Sequence, residues 1–381
     1  MPVYMAMLFL IILYACSKTG INRSEGKRKH FIIFAFSLLI IIACLRSSSV
    51  GRDLNAHYAK NFMLIAQRSW SELPMFSVIS GYEIGYVYYC KIISYIIKDP
   101  QILIITSSLF IYGVHARFFY RHSENVVMST ILFILSCSYY MYMNVIRQGI
   151  AGTIILLGYE VLWQRRKEWV KYILFISCTV VASTFHKSAL LCLIFLLFYN
   201  MEFKRRHILL SVAASAAAVF SYQKLYLVAL SFLGNNKRYA DHILSRTEGT
   251  GGLSLIGGIN ILLTSGAFLI ACYVYITGKR KGDPTKSPVF TRQGSMLMYL
   301  CLMAGVCRLL GTKMNIINRM TFFFLPFIFI LYPVGINRTG RFRQLFTTGV
   351  YALYGMYFIY MSVYLAADYY GVIPYLFFWQ K

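Results

Sequence analysis

Short basic clusters recur between apolar runs along the chain, and this alternation restricts the fold more than any single motif does. Each apolar run is about the length of a membrane crossing or somewhat shorter. The clusters KTGINRSEGKRKH, Arg165-Arg166-Lys167, Lys204-Arg205-Arg206 and GKRKGDPTKSPVFTR fall at every second boundary. That pattern is the charge bias of loops kept on the cytoplasmic side of a bilayer. Of 381 residues, 58% are hydrophobic and 13% charged, so no soluble domain of useful size fits between the runs. The formal charge of +25 is dispersed through these loops, which argues against nucleic acid as a partner.

Crossings are expected at residues 3–16, 31–45, 101–116, 125–143, 148–163, 172–184, 188–200, 208–222, 253–278, 293–311, 319–336 and 345–366. The first is read as a retained helix, because no basic region precedes it and no A-x-A site follows. The expected fold is an all-α polytopic membrane protein, 1–381 forming one transmembrane domain of about 12 segments, some short or re-entrant. A polar stretch at 46–100 is an external loop, and its tyrosine-rich part, 82–98, reads as an interfacial or re-entrant helix. A second external loop is expected at 223–252. The nine cysteines include no C-x-x-C and sit mostly inside apolar runs, which reads as packing and not as a metal or disulfide site.

The loops assigned to the cytoplasm hold 22 of the 38 Lys and Arg, leaving 16 on the outer half against seven acids. Topology does not require those outer cations, and an anionic ligand would account for them; snorkelling to lipid phosphates is the competing reading. Arg147 opens an inward helix in NVIRQGIAG, where a helix N-terminus and a guanidinium both favour an anion. Interfacial anchoring explains Arg147 equally well. His186, in TFHKSAL, lies between two short apolar runs, suited by type to accept a proton near neutrality; a lone histidine is also commonly structural. Lys187 beside it would face an anion while Ser188 caps the next helix. Arg52, Asp53, Tyr58 and Glu83 are external, with a simple Arg52–Asp53 ion pair as the plain alternative. Arg319 opens another inward helix, and Pro326 and Pro333 within that run imply a bent or broken span.

Absent patterns narrow the chemistry. There is no G-x-x-x-x-G-K-[ST], no H-E-x-x-H, no paired-cysteine zinc motif and no D-x-D. Acids are nearly missing from the centres of the apolar runs, which weighs against a proton-coupled transporter.

Five stretches together resemble one family: RDLNAHY (52–58), GYEIGY (81–86), NVIRQGIA (144–151), STFHKSALL (183–191) and NRMTFFFLPFIFILYP (318–333). In order and spacing they are similar to the EpsG family of Wzy-like polysaccharide polymerases, the O-antigen, capsule and exopolysaccharide enzymes. Residues 205–290 carry no recognisable part of the pattern. The resemblance implies a GT-C-like multi-span glycosyltransferase of the bacterial plasma (inner) membrane, its active site facing the periplasm or exterior. It implies a substrate class, oligosaccharide repeat units on undecaprenyl pyrophosphate, and no cofactor. A partner that regulates chain length rests on the resemblance alone.

Under that reading an acceptor hydroxyl attacks the anomeric carbon of the growing chain and lipid pyrophosphate departs as a stable anion. No acid is needed for the leaving group, so one of the two carboxylates of a typical glycosidase is dispensable. Arg147 and Arg319 are the candidates to hold the pyrophosphate, supported by Arg52 and Lys187, with no metal required. His186 or Glu83 would be the base; Asp53 and Tyr58 complete the candidate site. A glycan ligase using the same lipid meets every one of these requirements. A lipid-linked oligosaccharide flippase, with cations deep in its spans, and a membrane acyltransferase, working with a cytoplasmic thioester, are the readings from other classes.

Overall fold

The computed structural model describes residues 1–204, 206, 207, 209, 210, 213, 217, 255–280, 291–312, 315–365 and 370–380. They are almost wholly helical, and the single β-contact among them is an antiparallel bridge between Arg46 and Phe377. The external loop expected at 223–252 lies outside the described residues, as does most of the crossing expected at 208–222. The chain divides into two compact units, Met1–Ile194 with Thr347–Lys381, and Phe195–Phe346.

The first unit contains α1 (Pro2–Ser17), α2 (Glu25–Leu45), α3 (Ala59–Gln67), α4 (Leu73–Ser80), α5 (Ile84–Ser94), α6 (Gln101–His122), α7 (Val126–Leu135), α8 (Ser138–Asn144), α9 (Ile146–Leu162) and α10 (Glu168–Ser183). Helix α2 packs on α6, α6 on α9, and α9 on α10. Only 33% of the apolar window of α2 is buried, and Ile33 and Ile41 are about half exposed. A helix apolar all round but covered on one side is suited to lipid. Glu160, 5% exposed on α9, accepts from Arg117 Nε at 3.0 Å and Arg121 Nη1 at 3.1 Å, both on α6. One buried acid thus ties two helices, an exception to the near absence of acids from the apolar runs.

Residues 125–143, expected as one crossing, form two helices bent by 59°. Asn125 caps the first by accepting from the Met128 amide at 3.0 Å. The break comes at Cys137, whose φ of +59° is unusual for a residue with a side chain. Residues 188–200 depart from the expectation too: Lys187–Leu193 is a 3₁₀ stretch that leads into α11 (Ile194–Asn200). The amphipathic stretch at 82–98 holds α5, whose 11 residues rise only about 1.5 Å each, far short of a span. Lys91 does not face out from it. It is 6% exposed and donates to the carbonyls of Ala66 at 3.0 Å and Arg68 at 2.6 Å, fastening α5 to the end of α3.

In the second unit, α11 is followed by α12 (Leu255–Arg280), α13 (Arg292–Leu310), α14 (Asn315–Met320) and α15 (Leu325–Ile336), with α12 packed on both α13 and α15. The bend that Pro326 and Pro333 foretold is present: residues 317–323 and α15 meet at 60°, with Pro326 in the first turn of α15 and Pro333 inside it. Helix α16 (Arg343–Tyr360) leads the chain back into the first unit. Four described helices are long and apolar enough to cross a membrane, six if each bent pair is one span, so this is a helical multi-pass membrane protein.

Candidate active site

The site is assembled in the first unit from loop 46–58, the turn before α5, the start of α9 and the turn after α10. Gly81, at φ +71°, ends α4 by donating its amide to the Ser77 carbonyl and turns the chain sharply. Tyr82 and Glu83 follow, and Glu83 caps α5 in extended backbone. Gly85 permits what comes next. Its amide donates to the Thr184 carbonyl at 2.9 Å, and a Cβ there would lie 2.1 Å from Thr184 Oγ1. No residue with a side chain fits this approach of α5 to the end of α10.

That approach delivers GYEIGY and STFHKSALL to the same point. Glu83 Oε1 accepts the Lys187 backbone amide at 3.2 Å, and Oε2 pairs with Arg147 Nη1 at 2.5 Å. The two side chains are 10% and 21% exposed, so the pair is partly shielded from water and stronger for it. The Arg147 guanidinium also lies over the Tyr82 ring, 4.4 Å from its centroid, and 6.0 Å from that of Tyr58. Tyr58, Tyr82 and Tyr86 form an aromatic triad with centroids 5.4–6.0 Å apart. Burial pushes the Tyr82 phenol up to about 12, and burial raises Tyr58 as well. Both therefore stay protonated at neutral pH, as donors and not bases.

His186 stands at the head of the 3₁₀ stretch. Its Nδ1 accepts from the Ser188 amide at 3.4 Å and lies 2.9 Å from Ser188 Oγ, so the neutral ring carries its proton on Nε2. The Lys187 side chain is exposed. Asp53 begins the turn Leu54–Tyr58, and its amide donates to Asn144 Oδ1 at 3.4 Å, three residues before Arg147. The exposed Arg52 next to it donates its amide to the Tyr370 carbonyl at 3.0 Å. Seven of the eight candidates, Arg52, Asp53, Tyr58, Glu83, Arg147, His186 and Lys187, thus belong to one unit. Arg319 belongs to the other. It is exposed near the end of α14, and its neighbour Asn318 accepts from Arg308 Nη1 at 2.6 Å.

Sequence reasoning overlooked Tyr82, Gly85, Thr184 and Asn144. All four lie inside quoted motifs, but each acts through a contact with a distant stretch, and no local signal marks it. No curated protein and no solved structure matches the chain. A family model does, over residues 29–377, a span that takes in every stretch that builds the site. The chain belongs to the EpsG family, which places it among polymerase-type membrane proteins of polysaccharide biosynthesis.

Proposed function

We propose that the protein polymerises oligosaccharide repeat units carried on undecaprenyl pyrophosphate, at the outer face of the bacterial plasma membrane, in a GT-C-like arrangement of about 12 membrane segments. The observation that carries the reading is the Arg147–Glu83 pair, stacked on Tyr82 and joined to the amide of Lys187, the residue after His186. In this pair Arg147 is shared between Glu83 and the aromatic face. An entering pyrophosphate takes the guanidinium fork, a geometry arginine offers and lysine does not.

Glu83 is then released from its charged partner, and its oxygens are open to accept a proton. It becomes the base for the acceptor hydroxyl of the incoming repeat unit. The hydroxyl oxygen bonds to the anomeric carbon as the bond from that carbon to the lipid pyrophosphate breaks. Negative charge develops on the leaving oxygen, against Arg147 and within reach of the exposed Lys187 and Arg52. Fixed cations facing a developing anion are worth on the order of several kcal/mol in the transition state. His186, with Nδ1 turned to Ser188, offers its Nε2 proton to the same anion. Of the two candidate bases this orientation favours Glu83.

The test is incubation of the purified protein in nanodiscs with its lipid-linked repeat unit, resolved as a ladder on a gel. A ladder that extends with time is expected. Transfer of a single preformed glycan to another acceptor would identify a ligase, and movement of the lipid without bond formation would identify a flippase.

A further inference from the structure

Arg46 lies at the C-terminal end of α2, 1% exposed, and it has no role in the chemistry above. Its Nη2 donates to the Met143 carbonyl at 3.0 Å, while Nε and Nη1 have no hydrogen-bond partner among the described residues. No carboxylate stands within ion-pair distance among the described residues. Tyr4, Tyr112, Tyr139 and Tyr375 interact with it electrostatically, and each phenol donates its proton to a main-chain carbonyl: Val372, Tyr139, Leu39 and Ile42 respectively. A buried, unpaired charge is among the costlier features a fold can keep. An apolar side chain of the same length would remove that cost.

What Arg46 holds explains its retention. Met143 lies in the last turn of α8, just before the break to α9, and Asn144, which ends that helix, accepts the Asp53 amide. Gly51, at φ +117°, lies beside both: a Cβ there would be 3.4 Å from the Met143 carbonyl and 3.4 Å from Asn144 Oδ1. From behind, the C-terminal segment grips the same turn. Ser47 donates to Leu376 at 2.8 Å, Phe378 to Leu45 at 2.9 Å, Gly51 to Gly371 at 2.8 Å and Arg52 to Tyr370 at 3.0 Å, all between main-chain atoms. Gly371 sits at φ +61°, and a Cβ there would lie only 2.9 Å from the Arg52 amide, too close to fit.

We propose that Arg46, clasped by residues 370–378, is a positioning residue for the reaction: by fixing the Met143 carbonyl it sets the Asp53–Asn144 contact and the placement of Arg147 against Glu83. The role rests on the reading of that pair as the reacting site. It separates stability from activity, which a merely structural arginine would not do. The experiment compares wild type, Arg46→Met and Arg46→Lys, full length in nanodiscs, by thermal melting, by ladder kinetics and by amide exchange at residue 53. Arg46→Met is expected to melt at or above wild type and to lose about tenfold or more in kcat with KM nearly unchanged. Its Asp53 amide should exchange about tenfold faster. Arg46→Lys, which keeps one donor for the carbonyl, should fall between the two. Wild-type kcat and exchange in Arg46→Met overturn the proposal, and so does a loss that merely follows a lowered melting point. If wild type itself forms no polymer the polymerase reading fails, and unaltered exchange at residue 53 would then sink the clasp separately.

Discussion

Arg147 makes two contacts with one side chain: a charged pair with Glu83 and a flat face over Tyr82. Lysine supplies only the first. Arg147→Lys is expected to lower polymer formation by about 10²-fold, the scale of one deleted donor at a developing anion. Polymer of ordinary length from that variant would remove Arg147 from the pyrophosphate. Glu83→Gln acts differently, since it strands a largely buried guanidinium without its carboxylate. A stability loss of about 3 kcal/mol is expected along with the loss of polymer, read as a lower melting point in the same preparation. His186→Ala should cut turnover while the protein still inserts and melts near wild type; an unchanged rate would exclude the ring from the reaction. Burial pushes the Tyr82 phenol up to about 12, so Tyr82→Phe should leave the shape of the pH–rate profile below pH 10 unchanged; a changed shape there would bring the phenol's ionisation into the reaction.

Helices reach this site only where the backbone lets them approach, and Gly85 is the tightest such point. Gly85→Ala brings a methyl against both the Thr184 side chain and its carbonyl. The expected cost is about 1–3 kcal/mol of overpacking, with α5 displaced from α10 and the Glu83–Lys187 contact lengthened. A Thr184→Ala, Gly85→Ala double variant, which removes Oγ1 but leaves the residue 184 Cβ at 2.7 Å and its carbonyl at 2.9 Å from the new methyl, should recover little; full recovery would place the obstruction in the hydroxyl alone. At this scale the sequence was readable where chemistry is local. Pro326 and Pro333 announced the bend at 317–336, and basic clusters marked the loops. Cys137 gave no such sign, because a non-glycine residue at positive φ is held by its surroundings and not by its type. The pairing of Glu83 with Arg147 was hidden for a related reason. The two are 64 residues apart, and the contact depends on a glycine in one motif meeting a threonine in another. Motifs singled out Glu83 and Arg147 separately; only the fold showed that they touch.

For the whole molecule, orientation decides which chemistry is available. The candidate residues of the first unit sit in turns that the charge count assigns to the outer side, and a lipid-pyrophosphate donor requires that side. Arg166, in the basic cluster after α9, is assigned to the opposite one. The nine native cysteines must first be replaced, Cys16 above all because it is exposed. In that background Lys187→Cys should react with a membrane-impermeant maleimide on intact cells, and Arg166→Cys only after permeabilisation. Residue 187 is exposed and its amide is held by Glu83, so the label reports the site itself and not a distant loop. Reaction at 187 only from the cytoplasm would reverse the assignment. It would bring back a thioester-dependent acyltransferase, since His186 and Lys187 would then face the compartment that supplies such donors, and the outer cations would be left with lipid phosphates as their counterions. Labelling from outside removes that alternative and leaves the cation surplus where a departing pyrophosphate needs it.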